Sequence, residues 1–128
     1  MLTATDFRRI VLGLRDTIES AHMGHPDFRV NGGIFASLTA DEARAMVVLT
    51  PEQQQRFLRD APSVFEPESG AWGRAGCTRV HLASADEEAV GEAATLARHN
   101  AIAKGPTRLK SKPRTKKKTT GRRGSARR

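Results

Sequence analysis

Residues 28–38 constrain the fold of this chain more tightly than any other stretch. Phe28 and Val30 flank Arg29, and beyond Asn31-Gly32 the residues Ile34, Ala36 and Leu38 resume the alternation. A period of two marks half-buried strands. Asn-Gly between two such runs predicts a two-residue hairpin, because both central residues must take positive φ. On this reading Phe28, Val30, Ile34, Ala36 and Leu38 face a core, and Arg29 and Phe35 face away from it. Pro26 has no N–H for a ladder and belongs at a strand start or an edge.

The flanking sequence supplies cover for that sheet. Phe7, Ile10, Val11, Leu14 and Ile18 fall at helical spacing and predict a helix from Thr5 to about Arg15, capped by Thr3 or Thr5. Ser20–Met23 reads as an edge strand, Thr39–Glu42 as a turn, and the apolar Arg44–Leu49 as a central strand. Thr50-Pro51-Glu52-Gln53 is a capping box with proline at the first helical position. That helix ends near Asp60, before Pro62. It buries Phe57 and Leu58 and leaves Gln53, Gln54 and Gln55 exposed. Ser63–Glu66 is a short strand closed by Pro67, and Glu68–Gly76 is a glycine-rich loop around Trp72. Cys77–Ala83 is the last strand, with Thr78, Val80 and Leu82 on one face and Arg79 and His81 on the other. Ser84-Ala85-Asp86-Glu87 is a second capping box, opening a helix from Ala85 to about Ile102 along the stripe Val90, Ala93, Ala94, Ala97 and Ala101. The pattern predicts an α+β fold: an antiparallel sheet with helices packed on one face.

Charge divides the chain in two. Twelve of its 22 Lys and Arg lie in residues 104–128, which hold no Asp or Glu; residues 1–103 keep ten basic against all 14 acidic residues, a net of −4. Residues 1–103 are long enough for one domain with a real core. Residues 104–128 are too poor in apolar side chains to offset their ordering entropy, and are expected to be disordered. Lys110, Lys112, Arg114, Lys116, Lys117, Lys118, Arg122, Arg123, Arg127 and Arg128 form a candidate nucleic-acid arm. They would neutralise phosphates and release counterions without reading sequence. The plainer alternative is a solubilising tail. The arm has no apolar face to insert into a membrane.

Within residues 1–103, Arg29, Arg74 and Arg79 are the candidate contacts to nucleic acid. Arg29, Arg79, His81 and Phe35 would share the sheet face away from the helices, where an aromatic can stack on unpaired bases; an ordinary solvated face is the alternative. Trp72-Gly73-Arg74 either lids the core or forms the tip of a ligand groove together with His25 and Phe35. His22-x-x-His25 lacks a third ligand, and His81 and His99 stand on other elements, so no metal or other cofactor is expected. The single cysteine, Cys77, forms no internal disulfide and reads as packing. No phosphate-binding loop or nucleophile elbow is present, and Asp86-Glu87-Glu88 is accounted for as a helix start, so no enzymatic activity is expected. No leader or spanning segment is apparent, which points to a cytoplasmic monomer with possible nucleoid association.

Several segments, in order, resemble the MmcQ/YjbR family of small bacterial proteins: Gly24-His25-Pro26-Asp27-Phe28-Arg29-Val30, Ile34-Phe35-Ala36, Thr50-Pro51-Glu52, Gly70-Ala71-Trp72-Gly73-Arg74 and Thr78-Arg79-Val80-His81-Leu82. The resemblance spans about Thr5 to Ile102. It implies a CyaY-like α+β fold with a double-wing arrangement, and DNA, ahead of RNA, as the partner. Two departures stand out: Gly33 occupies a position where the family often has lysine, and Cys77 one where it often has an aromatic. The basic arm lies outside the resemblance. A second functional reading keeps the groove near Trp72 as a protein- or small-ligand-binding site, with the arm only a tether to polyanions.

Overall fold

The computed structural model of the protein describes residues 1–104; the arm residues from Lys110 to Arg128 lie outside the described residues. The elements run α1 (Ala4–Leu12), β1 (Ile18–His22), β2 (His25–Val30), β3 (Gly33–Leu38), β4 (Arg44–Val48), α2 (Pro51–Asp60), β5 (Phe65–Pro67), α3 (Gly70–Arg74), β6 (Cys77–His81), a 3-10 turn at Leu82–Ser84, and α4 (Glu87–Lys104). The strands form one antiparallel six-stranded sheet in the order β1-β2-β3-β4-β6-β5. α1 and α4 pack on the face that carries Phe28, Val30, Ala36, Leu38, Val47 and Val80, and α2 closes the same side beside β5. The fold is therefore α+β, with a core between helices and sheet.

Local chemistry explains the element starts. Thr3 caps α1 and Thr50 caps α2, each in a two-way capping box, with Asp6 and Gln53 returning the bond. The Asp86 carboxylate, not Ser84, caps α4 by accepting from the Ala89 N–H at 2.8 Å. α1 stops at Leu12 rather than Arg15, and Ile18 leaves the helical stripe to open β1, where it is 62% exposed.

The central hairpin forms at Asn31-Gly32, both at positive φ. A second turn of the same kind lies at Met23-Gly24 and joins β1 to β2. The expected alternation on β3 is broken by a β-bulge. Phe28 pairs with Ala36 but Arg29 pairs with Ile34, so Phe35 is the extra residue. The bulge shifts the phase of the strand by one: Phe35 is fully buried in the core, and Ile34 is turned out to 43% exposure. Phe35 is therefore a core residue and not part of the outer sheet face.

Phe7 meets Phe28 edge-on at 5.8 Å, and Phe57 meets Phe65 at 4.9 Å, so the aromatic pairs tie α1 and α2 to the sheet. α4 approaches closely because its buried stripe is Val90, Ala93, Ala94 and Ala97. Gly91 on the same helix has open space where a Cβ would stand. Gly91→Ala is expected to stabilise the protein by about 0.5–1 kcal/mol through the entropy of the unfolded chain and helix propensity. A rise in the urea midpoint at unchanged slope would show it.

Candidate functional site

Five of the ten arginines of the described residues are paired with carboxylates: Arg8, Arg9, Arg29, Arg56 and Arg79. Arg8 bridges Glu19 at 3.0 Å and Glu42 at 3.0 Å, joining α1 to β1 and to the β3–β4 turn. Glu42 first, then Glu19, raise its pKa above the ordinary arginine value. Arg9 reaches Glu87 at the start of α4, and Arg56 on α2 reaches Glu92 on α4. Arg9 and Arg56 thus join α1 and α2 to α4, and Arg8 joins α1 to the sheet.

The arginines expected to contact nucleic acid divide by surroundings. Arg29 makes a two-pronged ion pair with Asp27, at 2.8 and 3.1 Å, and the Asp27 side chain is only 3% exposed. That bond holds the Arg29 guanidinium above its ordinary pKa. Arg79 donates to Glu68 at 2.8 Å and lies near Glu66, which also bonds His81. Both charges are thus neutralised internally. Arg74 is exposed and has no ion pair among the described residues.

The sheet face away from the helices carries a cleft. Cross-strand register lines up Ser20, Asp27, Ser37, Met46, Arg79 and Glu66 in one row over this face, and His22 opposite His25 in another. Over them stands Trp72, 73% exposed. Two adjoining hollows, of about 300 and 310 Å³, share His25, Ser37, Met46, Trp72 and Cys77. Ile34 and Val48 extend the apolar floor. The structure therefore brings His25 and Trp72 together and leaves Phe35 out, on the core side. Trp72 is a projecting residue of the cleft wall and not a lid on the core. A larger hollow of about 590 Å³ lies between α2 and α4, but the Arg56–Glu92 pair spans its wall and it holds none of the expected residues.

Trp72 is held by a rigid support that the sequence does not show as such. The Glu68–Gly76 stretch contains the short α3, and two of its three glycines, Gly73 and Gly76, are packed against backbone. A Cβ on Gly73 would meet the Glu68 carbonyl oxygen at 1.8 Å, and one on Gly76, at φ +115°, would meet the Leu49 carbonyl oxygen at 1.9 Å. Gln54, expected on an exposed face, is instead 3% exposed. Its Nε2 donates to the carbonyls of Gly73 at 3.0 Å and Cys77 at 3.1 Å and lies 3.2 Å from the Thr78 hydroxyl, which donates to the Gly76 carbonyl. α2 thus fixes the C-terminal side of the Trp72 segment, and the Glu68 N–H, bonded to the Cys77 carbonyl at 3.0 Å, ties its start to β6. Gln54→Leu is expected to cost about 2 kcal/mol by leaving buried carbonyls short of a donor. Chemical denaturation of the variant, with the Trp72 emission as probe, measures it.

Cys77 is buried at the back of the cleft, and burial, then the Glu68 carboxylate, push its thiol above the ordinary pKa against the opposing Lys104. It is held as the unreactive thiol. Among the described residues no group of three or more His, Cys, Asp or Glu is disposed to hold a metal ion, and no helix is long and apolar enough to cross a membrane.

No family model matches the chain, and no curated protein matches it in sequence. Its structure is similar to the crystal structure of Deinococcus radiodurans protein DR2400, a DUF419 domain, with a TM-score of 0.68 and 21% identity over 84% of each chain. At that identity the likeness establishes a shared fold.

Proposed function

We propose that this chain is a non-enzymatic nucleic-acid-binding protein of the MmcQ/YjbR kind, a cytoplasmic monomer whose basic arm supplies the phosphate contacts, with DNA ahead of RNA as the partner. One observation carries the reading: all the excess positive charge lies in residues 104–128, attached to a body of net −4. The ion pairs of the body strengthen it, because Arg8, Arg9, Arg29, Arg56 and Arg79 are engaged with carboxylates. A polyanion that meets this protein finds the densest run of positive charge in the arm sequence. The role left to residues 1–103 is to carry and orient the arm.

The test is substitution within the full chain. Replacing Lys116, Lys117, Lys118, Arg122 and Arg123 by glutamine is expected to weaken binding equally for unrelated DNA sequences. The log–log salt slope should become less negative by about one for each phosphate that the arm no longer neutralises. Unchanged affinity would refute the reading.

A second reading, a protein- or small-ligand-binding groove with the arm as tether, draws on the exposed Trp72 above an apolar cleft. It requires a partner whose binding depends on Trp72 and does not respond to substitution of the arm.

A further inference from the structure

We infer that the open-face cleft takes an unpaired base of a single-stranded nucleic acid, stacked on Trp72. This rests on the reading of the arm as a nucleic-acid contact and adds to it which strand form the protein prefers.

Trp72 is 73% exposed, whereas the large aromatics Phe7, Phe28, Phe35 and Phe65 are fully buried or nearly so. It stands on a closely packed segment: Gly73 and Gly76 leave no room for a Cβ, and Gln54 bonds the backbone on its C-terminal side at Gly73 and Cys77. The backbone that carries the indole is already ordered, so stacking of a planar group needs no further ordering of the chain there. The floor beneath it is apolar, made by Met46, Val48 and Ile34, and each of the two hollows, at about 300 and 310 Å³, has room for a nucleobase. His25 and Ser37 line the same space and carry groups able to bond a base edge.

Charge selects the occupant. The carboxylates that line the cleft, Asp27 and Glu68, are paired with Arg29 and Arg79, so they offer no free negative charge to repel phosphate. The arm adds 12 Lys and Arg to the same chain. A ligand that answers both features carries a string of phosphates and an accessible flat ring. Duplex bases are stacked inside the helix and cannot enter the cleft, whereas those of a single strand can.

The protein provides its own reporter, because Trp72 is the only tryptophan and the chain has no tyrosine. The full chain is titrated at low salt with an oligothymidylate of about 15 nucleotides, with a duplex of equal phosphate number, and with heparin. Binding is followed independently by anisotropy of labelled probes. The expected result is quenching of Trp72 emission by the oligothymidylate only. Trp72→Ala should weaken oligothymidylate binding about tenfold or more and leave duplex binding unchanged, with Trp72→Phe partly restoring it. Oligothymidylate binding without quenching, and unaltered in Trp72→Ala, would overturn the stacking proposal and leave the arm reading standing. Equal quenching by duplex or heparin would overturn it too, as an effect of charge. Emission that changes with protein concentration alone would place a second copy in the cleft and overturn it as well. If none of the three polyanions binds, the arm reading fails and this proposal fails with it.

Discussion

Between about 50 and about 200 mM salt, the full chain is expected to lose about a thousandfold of its affinity for duplex DNA. The figure follows from the arm. If about six of its cations meet phosphates, counterion release gives a log–log slope near −5, and a fourfold rise in salt spans about 0.6 of a decade. The described residues are the poorer source of such a slope: residues 1–103 are net −4, and five of their ten arginines are joined to Glu19, Glu42, Glu87, Asp27, Glu92 and Glu68, where a guanidinium has its counter-charge already. A slope near −1 would mean that the arm is not the contact. Because the effect comes from phosphates, the slope should be similar for unrelated sequences.

Gly76→Ala is expected to destabilise the fold by about 4 kcal/mol or more, a large fraction of the total for a domain of this size. The added Cβ would stand 1.9 Å from the Leu49 carbonyl oxygen and 2.8 Å from its carbon. Neither atom belongs to a flexible side chain, so β4 and β6 would have to part where Leu49 N–H bonds the Gly76 carbonyl at 3.1 Å. The φ of +115° adds strain for any residue with a side chain. Gly24→Ala makes the control: its φ is +82° but nothing stands within 4 Å, and a cost of about 1 kcal/mol is expected. Urea unfolding of the two variants separates backbone collision from backbone strain. Equal costs would show that the sheet yields at Leu49.

The parts of the fold legible in the sequence are those set by neighbours in the chain. Asn31-Gly32 turns because of its own φ preferences, and Thr50-Pro51 with Gln53 starts α2 through bonds spanning three residues. The last strand follows its expected faces, since Thr78 and Val80 obey a period of two without a bulge, but it ends at His81 rather than Ala83, and Leu82 is buried from the 3-10 turn that follows. Where the reading departs from the structure, a distant partner decides. Ile34 and Phe35 exchange faces because β3 gives up one residue of register to β2, and no local signal announces the bulge. Met23-Gly24 turns without the asparagine that would mark it. Gln54 is buried because its partners, Gly73, Cys77 and Thr78, lie 19 to 24 residues away.

The candidate site follows the same division. His25 and Trp72 line one cleft, although they come from segments far apart in the chain. The pairing of Arg29 with Asp27 is visible in principle, since the two lie two residues apart on one strand face. That of Arg79 with Glu68 is not, because it depends on β5 lying against β6. On the proposed reading, these pairs make the body a scaffold and leave phosphate binding to the arm.

The most direct test of that claim compares duplex binding by the full chain and by a chain ended after Lys104, at one salt concentration near 100 mM and on one DNA. Ending the chain there keeps α4 whole and every described element intact. The account expects the shortened chain to bind at least about a hundredfold more weakly, at unchanged thermal stability. Equal affinity of the two chains would contradict it.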